Sequence, residues 1–193
     1  MPDEDRYFDH DLPRRLQVKS SLHFTPMAVA RRAAQLLAPT PGMRVLDVGA
    51  GPGKFCLVAA QEVPTATFVG IEIRPHLVHT ARKLADRLGV TNAIFLEGDA
   101  LAADWSTYDA FYFYNPFAEQ LHEQLFAIDH SIPLVPARFE HAVEEASRRL
   151  AEARIATRVV TYHSFGAAAP ASYDLVERFP LGTDHLELWI KTR

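Results

Sequence analysis

Val45-Leu46-Asp47-Val48-Gly49-Ala50-Gly51-Pro52-Gly53 is the stretch whose reading decides the fold. Val45 to Val48 form a short, mostly apolar run, as a buried parallel strand does. The glycines that follow let the backbone turn sharply and approach a ligand with no Cβ in the way. Lys54 to Glu62 then reads as a helix, which Pro64 ends. In open α/β sheets the ligand crevice lies outside the carboxyl ends of the strands, which is where this glycine turn falls. A tight strand–helix turn with no ligand accounts for a single pair of glycines better than for the whole block.

Downstream, Thr67 to Ile73 is rich in β-branched residues and reads as a second strand. Pro75 to Leu88 reads as a helix, with Leu77, Val78, Ala81, Leu84, Ala85 and Leu88 on one side and Gly89 as its stop. Ala93 to Leu96 and Asp109 to Tyr114 are the third and fourth strands. A helix is expected from Pro116 to Asp129, a loop from His130 to Pro136, a helix over Phe139 to Ala153 and a fifth strand over Ile155 to His163. Tyr173 to Phe179 and Leu186 to Lys191 then read as strands joined by the turn Pro180-Leu181-Gly182-Thr183-Asp184. Upstream, Thr25 is the expected N-cap and Pro26 the first helical residue of a helix bearing Met27, Val29, Ala30, Ala33, Leu36 and Leu37. Residues 1–23 are charged, without sustained periodicity, and read as an arm or a short peripheral helix ahead of an α/β core over 24–193. Alternating strands and helices require a mostly parallel sheet with helices on both faces, here closed by an antiparallel hairpin.

The chain of 193 residues is short for two domains and reads as one. Its 48% hydrophobic and 23% charged residues are those of an ordinary globular protein. Lys and Arg number 20 against 24 Asp and Glu, and the net charge of −4 counts against a nucleic-acid partner. The single cysteine, Cys56, excludes an internal disulfide and a multi-cysteine zinc site, and after the glycine turn it reads as a small core residue. With no apolar run long enough for a bilayer and an acidic N-terminus, the expectation is a cytoplasmic protein without membrane contact.

Lys54 stands where the dinucleotide fingerprint G-x-G-x-x-G needs its last glycine, and the phosphate-cradling loop G-x-x-x-x-G-K-[ST] does not fit either. Carboxylates instead follow the strands. Glu72 ends the second strand, within reach of two ribose hydroxyls or as a solvated strand-end acid. Asp99 follows the third, able to accept from an adenine amine or to begin a turn. Asp47 would repel a pyrophosphate.

Val45 to Gly53, Glu72 and Gly98-Asp99-Ala100 resemble the successive cofactor motifs of class I S-adenosylmethionine-dependent methyltransferases, over roughly residues 24–116. The resemblance implies a Rossmann-like methyltransferase fold with a seven-stranded sheet and the cofactor S-adenosyl-L-methionine. It implies that Gly49, Ala50 and Gly51 pack against the cofactor and that Asp47 organises its amino-acid end. Glu72 would bind the ribose and Asp99 the adenine amine, with Ile73 and Ala100 also binding the cofactor. A sulfonium bearing an amino acid suits these acids, having no phosphate to repel them.

After the fourth strand comes Asn115-Pro116-Phe117. Amino-group methyltransferases of this family carry Asn or Asp, two prolines and an aromatic at this place, so the match is partial. It implies that the Asn115 carbonyl orients an amine and that Phe117 packs on a flat substrate. Asn115 is equally readable as a turn residue before proline. A non-SET histone-lysine methyltransferase is a more remote likeness. His130, His163 and His185 lie in separate segments without a catalytic motif, and no cluster has metal-ligand spacing. The expected reaction is methyl transfer to an amine nitrogen of a small molecule or protein side chain. The alternatives are an NAD(P)-dependent oxidoreductase with a variant loop and a non-catalytic cofactor-binding module.

Overall fold

The computed structural model describes residues 3–115, 117, 127–129, 131–132, 135–163 and 169–193. Its strands are β1 (Arg44–Val48), β2 (Thr67–Glu72), β3 (Ala93–Glu97), β4 (Ala110–Tyr114), β5 (Arg158–Tyr162), β6 (Tyr173–Leu181) and β7 (Asp184–Lys191). They form one seven-stranded sheet in the order β3-β2-β1-β4-β5-β7-β6. The pairs β1–β2, β1–β4, β2–β3 and β4–β5 are parallel, and β7 runs antiparallel between β5 and β6. The chain leaves β1 for β2 and β3 on one side and returns to β4 on the other, which opens a crevice outside their carboxyl ends.

Successive side chains of each strand point to opposite faces, and both faces are covered. Val45, Phe68, Phe95 and Tyr112 lie under α4 (Met27–Leu37), α5 (Lys54–Glu62) and α6 (Pro75–Leu88). Leu46, Val69, Phe111, Phe113 and Val159 meet Val143, Ala146 and Leu150 of α7 (Pro136–Glu152) on the other face. This double burial makes the central strands unbroken apolar runs in the sequence.

The bounds of α5 and α6 are those expected. β5 starts later, at Arg158, because Ala156 adopts a left-handed φ of 68° and turns the chain before it. The hairpin turn is tighter than expected. Pro180 and Leu181 belong to β6, and only Gly182-Thr183 connects the strands. A proline is accommodated there because β6 is an edge strand. A Cβ on Gly182 would come within 2.8 Å of the Tyr162 hydroxyl, which donates to the Leu181 carbonyl (2.7 Å) and accepts from the Thr183 N–H (3.0 Å). Most of the helix expected from Pro116 to Asp129, and residues 130, 133 and 134 of the loop expected from His130 to Pro136, lie outside the described residues.

The N-terminal arm consists of three short helices, α1 (Asp3–Asp9), α2 (Arg14–Gln17) and α3 (Ser20–His23). Phe8, Leu12 and Leu16 sink into the same core as α4 and α5. The Lys54 ammonium, 2% exposed, is held at 2.8 Å by both Asp5 and Asp9 and at 3.3 Å by the Ser20 hydroxyl. Asp5 also accepts the Met27 N–H at 2.9 Å, and so caps α4 from 22 residues away. The cap expected of Thr25 is therefore supplied by Asp5, and the Thr25 hydroxyl instead meets the Tyr112 hydroxyl at 3.1 Å.

A second buried acid lies beneath the glycine turn. The Asp47 carboxyl is paired with the Cys56 thiol at 3.6 Å. Burial pushes it up to about 7, against the Cys56 hydrogen bond and with help from the Glu72 carboxylate. The same burial pushes the Cys56 thiol up.

Replacing one member of a buried ion cluster strands the others, so Lys54→Met should cost about 3–5 kcal/mol in urea denaturation. Adding Asp5→Asn and Asp9→Asn should recover much of it, and equal losses would show that the ion cluster does not hold the arm. Asp47 is protonated more readily folded than unfolded, so its contribution to stability falls as pH rises from 3.8 through about 7. The stability of Asp47→Asn relative to the parent protein should therefore be about 2 kcal/mol greater at about pH 8 than at about pH 5. Urea midpoints of both proteins at the two pH values check this, and a pH-independent difference would refute it.

Candidate active site

A cavity of about 700 Å³ opens at the carboxyl ends of the strands, a size that suits a small-molecule ligand. Val48 and Gly49 reach it from β1, Glu72, Ile73 and Arg74 from β2, and Gly98, Asp99 and Ala100 from β3. Tyr114, Asn115 and Phe117 line it beyond β4, and Arg138, His141 and Ala142 from α7. Leu22 and His23 of the arm close one side, with Ile128 and Ile132 opposite the strand ends.

The glycine turn lies flat on β2 because two glycines leave it room. A Cβ on Gly70 would stand 2.6 Å from the Ala50 methyl, and one on Gly53 would stand 2.6 Å from the Phe95 ring. The turn then aims the Gly51 N–H at one oxygen of Glu72 (3.0 Å), while the Arg74 N–H reaches the other (2.9 Å). The Arg74 guanidinium also approaches the second oxygen at 3.5 Å, so Glu72 is fixed at 5% exposure with the Gly51-bonded oxygen still able to accept. Asp99 accepts the Leu101 N–H with Oδ1 at 2.8 Å, leaving Oδ2 for a donor in the cavity. Asp99 therefore both begins a turn and lines the cavity.

Of the residues expected at the site, Gly49, Glu72, Ile73, Asp99, Ala100, Asn115 and Phe117 line the cavity together. Asp47, Ala50 and Gly51 do not line it. Asp47 faces Cys56 beneath the turn, the Ala50 methyl faces Gly70, and Gly51 faces Glu72 and the Phe24 ring. They pack the turn against β2 and α5 behind the lining.

S-adenosylmethionine fits these walls. A Cβ added at Gly49 or Gly98 would meet nothing within 4 Å, so each leaves open space where a ligand can come against the backbone. Glu72 offers acceptors for a diol, and Ile73, 50% exposed, offers an apolar surface for a flat base. The acids suit a ligand that carries amine and hydroxyl donors and no phosphate. Among the described residues no group of His, Cys, Asp or Glu could hold a metal ion, and no helix is long and apolar enough to cross a membrane.

The acceptor side carries backbone strain. Asn115, Phe117 and His163 adopt left-handed φ angles of 42°, 65° and 64°, at the ends of β4 and β5. Such conformations cost energy in residues other than glycine and concentrate at functional sites. The Asn115 N–H donates to the Tyr162 carbonyl at 3.1 Å, which fixes the strand end from which the side chain departs.

Two arrangements escaped the sequence. Arg74 reaches Glu72 at 3.5 Å and Asp129 at 3.4 Å, and Asp129 also meets His76 at 2.8 Å. The His163 ring Nδ1 lies 2.6 Å from Asp184, at the hairpin turn. The His185 backbone N–H, outweighing partial burial, and the His163 ring hold the Asp184 carboxyl below its usual range. Only the pairing of β5 with β7 brings His163 and Asp184 together, and no local spacing signals it.

Residues 39–126 match a family model described as a methyltransferase domain. A tRNA (guanine-N(7)-)-methyltransferase of Microcystis aeruginosa is 32% identical over 104 residues, 49% of each chain. Aklanonic acid methyltransferase DauC of Streptomyces sp. strain C5 is 40% identical over 78 residues, 40% of this chain and 34% of that one. The chain thus spans half or less of the length of these two relatives. An RNA methyltransferase from Salinibacter ruber, solved with S-adenosyl-L-homocysteine, is 26% identical with a TM-score of 0.60, covering 87% of this chain and 93% of its own. Strand order, strand-end carboxylates and these matches support a class I S-adenosylmethionine-dependent methyltransferase, with a methyltransferase domain over residues 39–126.

Proposed function

We propose that the protein transfers the methyl group of S-adenosylmethionine to a nitrogen of a flat acceptor. The observation that carries this reading is one cavity in which Glu72 and Asp99 stand on one side and Asn115 and Phe117 on the other. The bound cofactor supplies an electrophilic methyl on a sulfonium. Glu72 accepts from the ribose hydroxyls and Asp99 Oδ2 from the adenine amine, which sets the direction in which the methyl faces. The Asn115 side-chain carbonyl orients the acceptor nitrogen so that its lone pair lies in line, and Phe117 packs on the acceptor ring. Positioning and exclusion of water then supply the acceleration.

The net charge of −4 was an argument against a nucleic-acid acceptor. Relatives named for tRNA and RNA methylation remove its force and put a nucleobase among the flat acceptors.

Calorimetry with S-adenosylhomocysteine tests the cofactor half. The parent protein should bind it, and Glu72→Gln and Asp99→Ala should each weaken binding by about tenfold. Asn115→Ala should keep that affinity and lose turnover in single-turnover assays over amine acceptors. Folded protein that ignores S-adenosylhomocysteine and binds a nicotinamide dinucleotide would overturn the reading.

A further inference from the structure

The strand ends that open into the cavity stand in the order β3, β2, β1, β4. Asp99 follows the first and Glu72 ends the second, the positions proposed for the adenine and the ribose. Three strand spacings, about 14 Å, separate β3 from β4. A nucleoside laid along this row in that order carries its amino-acid tail past β1 toward β4.

The glycine turn after β1 has no N–H to spare for the carboxylate of that tail. The Gly49 and Ala50 N–H groups both donate to the Ile71 carbonyl at 3.1 Å, and the Gly53 N–H donates to the Ala50 carbonyl at 2.9 Å. The Gly51 N–H is bonded to Glu72, and Pro52 has none. Asp47, expected to organise this end, is turned onto Cys56. Gly49 supplies room instead, since a Cβ there would meet nothing within 4 Å.

Tyr114 stands next in the row. β4 runs beside β1 with Tyr112 level with Asp47, so two residues further on Tyr114 comes level with Gly49. It is half-buried and lines the cavity. Its ring lies nearly parallel to that of Tyr162, with centroids 5.7 Å apart, and edge-on to His163 at 5.5 Å. Both buttresses are tied to the hairpin turn, Tyr162 through its hydroxyl to Leu181 and Thr183, and His163 through Asp184. The hydroxyls of Tyr112 and Tyr162 are bonded within the protein, to Thr25 and to the Leu181 carbonyl. The Tyr114 hydroxyl has no hydrogen-bond partner among the described residues. Burial, with Tyr162 and the Asp5 carboxylate adding, pushes this phenol up to about 12, so it keeps its proton and stays a donor.

We propose that Tyr114 is a cofactor-binding residue whose hydroxyl donates to the carboxylate at the amino-acid end of S-adenosylmethionine, beside the open backbone of Gly49. The proposal rests on the methyltransferase reading and deepens it. A phenol donating to a carboxylate forms a charge-assisted hydrogen bond. Together with Glu72 at the ribose, it holds the cofactor on both sides of the sulfonium, so the methyl keeps one direction. The end of β4 then serves both reactants, the cofactor through Tyr114 and the acceptor through Asn115.

Tyr114→Phe tests this, because phenylalanine keeps the stacking on Tyr162 and loses only the hydroxyl. Calorimetry compares S-adenosylhomocysteine with its decarboxylated analogue, which retains the nucleoside, the sulfur and the amine. The analogue is read as a competitor of S-adenosylhomocysteine, so that weak binding still gives a value. The substitution should weaken S-adenosylhomocysteine by about tenfold and the analogue by less than about twofold. Unchanged affinity for S-adenosylhomocysteine, or an equal loss for the two ligands, would overturn the proposal. A parent protein that does not bind S-adenosylhomocysteine would instead count against the methyltransferase reading.

Discussion

The buried ammonium of Lys54 is the constraint on which the site depends. It begins α5, directly after the glycine turn, and it is almost fully removed from water. A charge in that position must be paired, and its partners come from the arm: Asp5 and Asp9 at 2.8 Å each. Satisfying Lys54 therefore docks α1 against the core. Asp5 then caps α4, Ser20 of α3 is drawn in, and Leu22 and His23 become part of the cavity. An arm that is charged in sequence is thus ordered by its charges, and the cavity gains a wall that the sheet alone would not give it.

The same residue marks the limit of what the sequence revealed. As a departure from the dinucleotide fingerprint, Lys54 was informative by itself, because one position decides between glycine and a side chain. As an anchor it was unreadable, since its partners lie 45 and 49 positions away and nothing periodic connects them. The parallel strands, α5 and α6 were legible because burial on both faces leaves continuous apolar runs and because Gly89 and the prolines punctuate the helices. Glu72 and Asp99 were legible because strand ends converge on one crevice in this topology. Thr25 was misread for the opposite reason. A threonine before a helix is a sound local cap, but Asp5 had already satisfied the helix end, which freed Thr25 to meet Tyr112.

Asp47 belongs to the glycine-turn motif yet is not among the residues that line the cavity. Its position in the strand before the turn suggested contact with the cofactor, yet its carboxyl is turned onto Cys56 and away from the cavity. Burial raises its carboxyl to about 7, and the nearby Glu72 carboxylate adds to the shift. Asp47, Gly70 and Gly53 together form the seat of the turn, and the turn in turn sets Glu72. What sequence reasoning compressed into one motif is, in the fold, a supporting layer and a contacting layer.

Net charge and local charge also part company. The excess of acids over bases is summed over the whole surface, whereas an acceptor meets only the side chains at the cavity mouth. Glu72 and Asp99 come to the cavity from the ends of β2 and β3, so two acids drawn from separate strands meet in one crevice. A cofactor held at both would have little rotational freedom left and its methyl would keep one direction, which is what methyl transfer by positioning requires.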